Sequence, residues 1–141
     1  MRHVVAVVAV AICTVAGALG QDTAKTTFDH YEEIRLALST DTLKGIPEHA
    51  AALAQVAAIG AEGKKATERL RTATDLKDAR QHFGALSAAL LPTFEKAQLK
   101  DVYLYTCSMA NQSWAQRGKP IQNPYYGKAM AACGVPAKPA K

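Results

Sequence analysis

Residues that mark chemistry by their abundance are scarce in this chain. It holds 3 cysteines, 4 histidines and 1 tryptophan in 141 residues, and aromatics make up only 6%. No Cys-x-x-Cys is present, because residue 110, three after Cys107, is alanine. That excludes a thioredoxin-like redox motif and covalent haem attachment. No glycine-rich phosphate loop occurs. Ser87 lacks the context of a nucleophile elbow. No general base and nucleophile stand at useful spacing, so the chain is read as a non-enzyme. No internal repeat is evident. The formal net charge of +5 is small and scattered, with several lysines in the C-terminal tail. It gives no argument for nucleic acid as a partner.

One long apolar run is present, and it sits at the start. Arg2 precedes a predominantly apolar stretch over residues 4–15, followed by the small-residue box Ala18-Leu19-Gly20 and then polar Gln21. A charged start, a short apolar centre and a small-residue box form the three-part pattern of a cleavable export signal. The run is shorter than the roughly 20 apolar residues that span a bilayer. Ile12 is too bulky for the position before a lipidated Cys13. The expectation is a signal peptide over residues 1–20, a periplasmic or secreted protein, and no stable membrane anchor after cleavage. Cleavage removes Cys13 and leaves Cys107 and Cys133 in a compartment that permits them to pair. Two thiols with no histidine near them in sequence disfavour iron–sulfur clusters and ordinary four-ligand zinc sites. The remaining length suits a single domain, placed at residues 27–135.

The patterning predicts a mainly α fold: an antiparallel three- to four-helix bundle with an irregular C-terminal cap that carries cysteine and methionine. Residues 21–26 read as a polar, flexible lead-in and residues 136–141 as a disordered Pro/Ala/Lys tail. Phe28, Tyr31, Ile34 and Leu38 recur at helical spacing over residues 27–39, with Glu32 and Glu33 early in that helix. Asp41 is a candidate N-cap for a second helix starting between Thr42 and Pro47 and running to Ile59, ended by Gly60 and Gly63. Residues 64–72 read as a short charged helix or an irregular connection. Asp75 or Thr74 caps a third helix over residues 76–96, whose stripe is Leu76, Ala79, Phe83, Leu86 and Leu90. Pro92 is expected to kink or end it near Leu91. Val102-Tyr103-Leu104-Tyr105 reads as extended. Residues 108–126 read as loop with short helical turns, and residues 127–133 as one turn of helix.

The candidate chemistry lies in the cap. Cys107-Ser108-Met109 and Met130-Ala131-Ala132-Cys133 bring both remaining thiols and two of the 3 methionines together. Soft sulfur donors select Cu(I) or Ag(I) over harder ions. Two residues apart on an extended segment puts Cys107 and Met109 on one side. Three apart on a helical turn puts Met130 and Cys133 on one face. Other readings stand beside this one. A Cys107–Cys133 disulfide would close a loop of about 27 residues, worth roughly 3–4 kcal/mol, in a structural or interaction domain whose Trp114, Tyr125 and Tyr126 form an aromatic cap. Met109 and Met130 can instead be pliable packing. His30, His49 and His82 sit at helix edges, where histidine is more often packed or solvated than ligating; His82, beside the core stripe, is the one advanced as a ligand.

Three segments resemble a known family. Arg80-Gln81-His82-Phe83 with Leu86-Ser87 resembles its helix motif. Tyr105-Thr106-Cys107-Ser108-Met109-Ala110 resembles its "Y-x-C-P-M-A". Trp114, Ile121-Gln122-Asn123-Pro124-Tyr125-Tyr126-Gly127, Met130 and Cys133-Gly134 resemble its C-terminal motif. The family is the bacterial periplasmic domain of unknown function 3347, whose members occur alone or fused to adaptor subunits of copper/silver efflux pumps. The resemblance runs from about Tyr31 to Gly134. It implies a periplasmic role in soft-metal handling, with an efflux-pump adaptor or another periplasmic protein as partner. Carried over by position, the ligand candidates are His82, Cys107, Met109, Met130 and Cys133. Ser108 stands where the family has proline.

Overall fold

A computed structural model describes residues 16–137. The expected signal segment lies mostly outside the described residues, as do Cys13 and residues 138–141 of the tail. Among the described residues there are four helices: α1 (Ala16–Ser39), α2 (Ile46–Ala54), α3 (Gly60–Thr72) and α4 (Leu76–Ala97). Three strands follow: β1 (Val102–Cys107), β2 (Gln112–Arg117) and β3 (Val135–Pro136). They form an antiparallel sheet in the order β2-β1-β3. The fold is mainly α, but it is not a pure helical bundle with an irregular cap. Among the described residues, no helix is long and apolar enough to cross a membrane.

α1 packs on α2 and α4, α3 on α2 and α4, and β2 lies across α4. The first predicted stripe is the core of α1: Phe28, Tyr31, Ile34 and Leu38 are all at most 1% exposed. The helix starts earlier than its stripe, so residues 21–26 are helical. Glu32 is therefore a mid-helix residue and not an early one that answers the helix dipole. It is buried beside Arg35, whose Nε and Nη2 lie 2.8 and 3.0 Å from its two oxygens. Arg35 Nη1 also donates to the Gln122 carbonyl at 2.9 Å, and the Arg117 N–H donates to Glu32 at 3.2 Å. Each charge of this buried pair thus has further hydrogen bonds, which a desolvated ion pair requires.

Several boundaries differ from the sequence reading. α2 starts at Ile46 with Gly45 at its N-cap and no side-chain cap. Asp41 instead accepts from Arg80 and from the Lys128 N–H, tying the α1–α2 turn to the C-terminal segment. Gly60 and Gly63 do not end a long second helix. A 3-10 turn, Ala57–Ile59, leads into α3, and Gly63 lies in its first turn. A Cβ at Gly63 would stand 3.0 Å from Ile59 Cβ, so close packing explains the glycine. Pro92 neither ends nor interrupts α4, which continues to Ala97. The proline orphans only the carbonyl four residues back. That residue, Ala88, is exposed, so water can satisfy it. Beyond the proline, Phe94 is buried edge-on against Phe28 with centroids 5.2 Å apart, and that packing holds the last turn in place. Asp75 caps α4 as expected, accepting from Asp78 N–H at 2.9 Å.

The larger correction is β2, which falls where loop was expected. Its register sets Tyr105 opposite Trp114 and Cys107 opposite Gln112. Trp114, Ala115 and Gln116 are buried in succession, so the strand is covered on both faces. Trp114 sits between Tyr105 and Tyr125, at centroid distances of 5.6 and 6.0 Å. The Tyr31 hydroxyl bonds Ser87 Oγ at 2.7 Å and accepts the Ala115 N–H at 3.2 Å, joining α1, α4 and β2 at one buried point.

Candidate functional site

Cys107 is the last residue of β1. As in any strand, alternate residues face the same way, so Tyr105 and Cys107 both point into the core, and Cys107 is fully buried. The chain then turns through residues 108–111, with Asn111 at a φ of 50° and its N–H bonded to the Ser108 carbonyl at 3.3 Å. This turn brings the N–H groups of Met109 and Ala110 near the Cys107 sulfur. The C-terminal segment approaches from the other side. Asn123, wholly buried, has its side-chain amide near the Cys107 sulfur and donates from Nδ2 to the Cys133 carbonyl at 2.6 Å. Its Oδ1 accepts the N–H groups of Tyr125 and Tyr126 at 2.8 and 3.3 Å, and its own N–H donates to the Ala131 carbonyl at 2.8 Å. One side chain thus organises the path of residues 123–133 and delivers Cys133 to Cys107. Gly134 lets the chain pass over Trp114, since a Cβ there would fall 2.6 Å from the indole.

The two thiols are free, not joined in a disulfide, and lie close enough to shift each other's ionisation. Their acidities diverge. Burial pushes the Cys107 thiol up, but the Ala110 N–H, the Asn123 amide, the Cys133 thiol and the Met109 N–H outweigh it. The result lies below a thiol's ordinary value. For Cys133, half-buried, burial comes first and the Cys107 hydrogen bond and charge come next; all raise it. Of the two sulfurs, Cys107 is therefore the one that gives up its proton first. A sulfur held as thiolate is both the nucleophile and the metal ligand of cysteine chemistry.

The other predicted ligands are placed differently. Met109 lies in the turn beyond the end of β1, 59% exposed, so strand alternation does not put it beside Cys107. Met130 ends the 3-10 turn Gly127–Met130, half-buried, and its carbonyl accepts the Cys133 N–H at 3.0 Å. His82 Nε2 lies 3.1 Å from Asp78 one turn earlier on α4. Among the described residues, no three of His, Cys, Asp and Glu converge, so His82 does not join the two thiols. The residue that sequence reasoning missed is Asn123. Its signal was the Asn-Pro step inside the Ile121–Gly127 motif, which marks a turn without revealing what the amide holds. No family model, curated protein or solved structure matches the chain.

Proposed function

We propose that this protein is a non-catalytic periplasmic binding module that holds a soft monovalent ion, Cu(I) or Ag(I), between Cys107 and Cys133. The reading rests on one observation: two free thiols, delivered by separate segments, stand close enough to shift each other's acidity in opposite directions. A soft cation can bridge the two sulfurs. It would meet the more acidic thiol at Cys107 and displace the thiol protons on binding, as thiol ligation requires. Entry is from the half-buried Cys133 side, because Cys107 is closed off. Met130 and Met109, each close in sequence to one thiol, are the neutral sulfur donors available to a third position. The motif resemblance to a periplasmic family linked to copper/silver efflux supports the same chemistry and implies transfer to or from an efflux adaptor.

Titration of the reduced protein with Cu(I) against a competing chelator tests this. One equivalent should bind, with affinity lost in Cys107→Ser and in Cys133→Ser. Equal affinity in the double variant refutes the proposal. Protein isolated from the periplasm two hydrogens lighter, with no metal uptake after reduction, would favour a structural domain with a Cys107–Cys133 disulfide instead.

A further inference from the structure

His30 on α1 and His49 on α2 are far apart in sequence and meet across the helix–helix contact. Their Nδ1 atoms are 3.1 Å apart, with ring centroids 5.4 Å apart and planes inclined by 48°. Both residues are half-buried. The placement of His49 follows from the turn before α2. Gly45 adopts a φ of 84°, a conformation that L side chains resist, and its carbonyl accepts the His49 N–H at 3.1 Å. The His49 ring lies over this glycine, where a Cβ would come within 3.7 Å of it.

Two imidazole nitrogens at this distance share one proton: one ring donates from Nδ1–H and the other accepts. The spacing also suits two ligands on one metal ion. With metal–nitrogen bonds of about 2.0–2.1 Å, tetrahedral ligands stand about 3.3 Å apart and right-angled ones about 2.9 Å apart. The observed 3.1 Å falls between the two, so a cation can replace the shared proton once the rings turn both Nδ1 lone pairs toward a common point. The donor set differs from the thiol pair. Imidazole suits borderline divalent ions such as Zn²⁺, Ni²⁺ and Cu²⁺, and affinity among them peaks at Cu²⁺. No cluster of three His, Cys, Asp or Glu forms among the described residues, so the remaining coordination positions fall to water or an incoming ligand.

The geometry points to a second metal site, in which His30 and His49 take a divalent transition-metal ion, Cu²⁺ by preference, through their Nδ1 atoms and clip α1 to α2. It is independent of the thiol site. The test is made in a His3→Ala, Cys13→Ser, Cys107→Ser, Cys133→Ser background, which removes the thiols and the histidine near the amino terminus. Cu²⁺ should bind at one equivalent, with electron paramagnetic resonance hyperfine structure from two imidazole nitrogens. At a free ion concentration of a hundred times Kd, the melting temperature should rise by about 10 °C. His30→Ala and His49→Ala should each abolish the two-nitrogen signature and the thermal shift. A two-nitrogen spectrum that survives in His49→Ala, or no uptake by the folded background protein, overturns the proposal. If that background does not fold, Zn²⁺ calorimetry on the reduced, otherwise unaltered chain and on its His49→Ala variant gives the same decision. Loss of one equivalent supports the site, and superimposable isotherms refute it.

Discussion

Asn123→Ala strikes both the fold of the C-terminal segment and the acidity of Cys107. The amide accepts from Tyr125 and Tyr126 N–H and donates to the Cys133 carbonyl, at 2.8, 3.3 and 2.6 Å. The Tyr125 N–H is fully enclosed, so truncation leaves it without a partner, at a cost of about 1–3 kcal/mol. The Tyr126 N–H and the Cys133 carbonyl lie nearer solvent, where water can replace the amide, and their loss costs about 0.5–1 kcal/mol each. The sum is about 3 kcal/mol, or a fall in melting temperature of about 10 °C for a domain of this size. The variant also removes one of the hydrogen bonds that hold the Cys107 thiol down. Its titration, followed by thiolate absorbance in the ultraviolet, should therefore move to higher pH. Urea unfolding supplies the stability. A loss under about 1 kcal/mol, or an unmoved thiol titration, would show that Asn123 does not organise this segment.

Tyr31→Phe removes the hydroxyl that bonds Ser87 and accepts the buried Ala115 N–H, and should cost about 2 kcal/mol in urea unfolding with little change in m-value. Gly134→Ala places a Cβ 2.6 Å from the Trp114 ring and should destabilise by about 1–3 kcal/mol, with a shift in tryptophan fluorescence. Acid should weaken the fold partly through Asp41. The Arg80 hydrogen bond, with help from the Lys128 N–H and both nearby charges, holds its carboxyl below the ordinary value of 3.8. A folded-state value below the unfolded one contributes stability above about pH 4 that is lost as pH falls through the folded-state value. Asp41→Asn should flatten that part of the stability–pH curve, and an unchanged acid limb would contradict the assignment.

The parts of the fold legible in the sequence are those whose burial follows one period. The α1 stripe from Phe28 to Leu38 and the α4 stripe from Ala79 to Leu90 are core because a helix face is core. The Asp75 cap was legible for the same local reason. β2 was not, because burial of Trp114, Ala115 and Gln116 on both faces erases the alternation that marks a half-buried strand. The polar Gln116 reads as loop, yet it is satisfied inside by Trp114 Nε1, the Gly118 and Pro120 carbonyls and the Gln122 N–H. Pro92 misled because the cost of proline in a helix is local, while the anchoring of Phe94 is tertiary. At the site, the pairing of two cysteine-bearing segments was legible from composition. The place of Met109 was not, because β1 ends at Cys107, two residues before Met109, and the chain turns there. The His30–His49 contact depends on how α1 and α2 pack, and no periodicity encodes it.

X-ray absorption at the copper edge of the reduced, Cu(I)-loaded protein bears most directly on the central claim. The account predicts a first shell of sulfur alone, two thiolates with or without a thioether, that is dismantled in Cys107→Ser. A shell containing nitrogen or oxygen donors, or one unchanged when Cys107 is replaced, would contradict it.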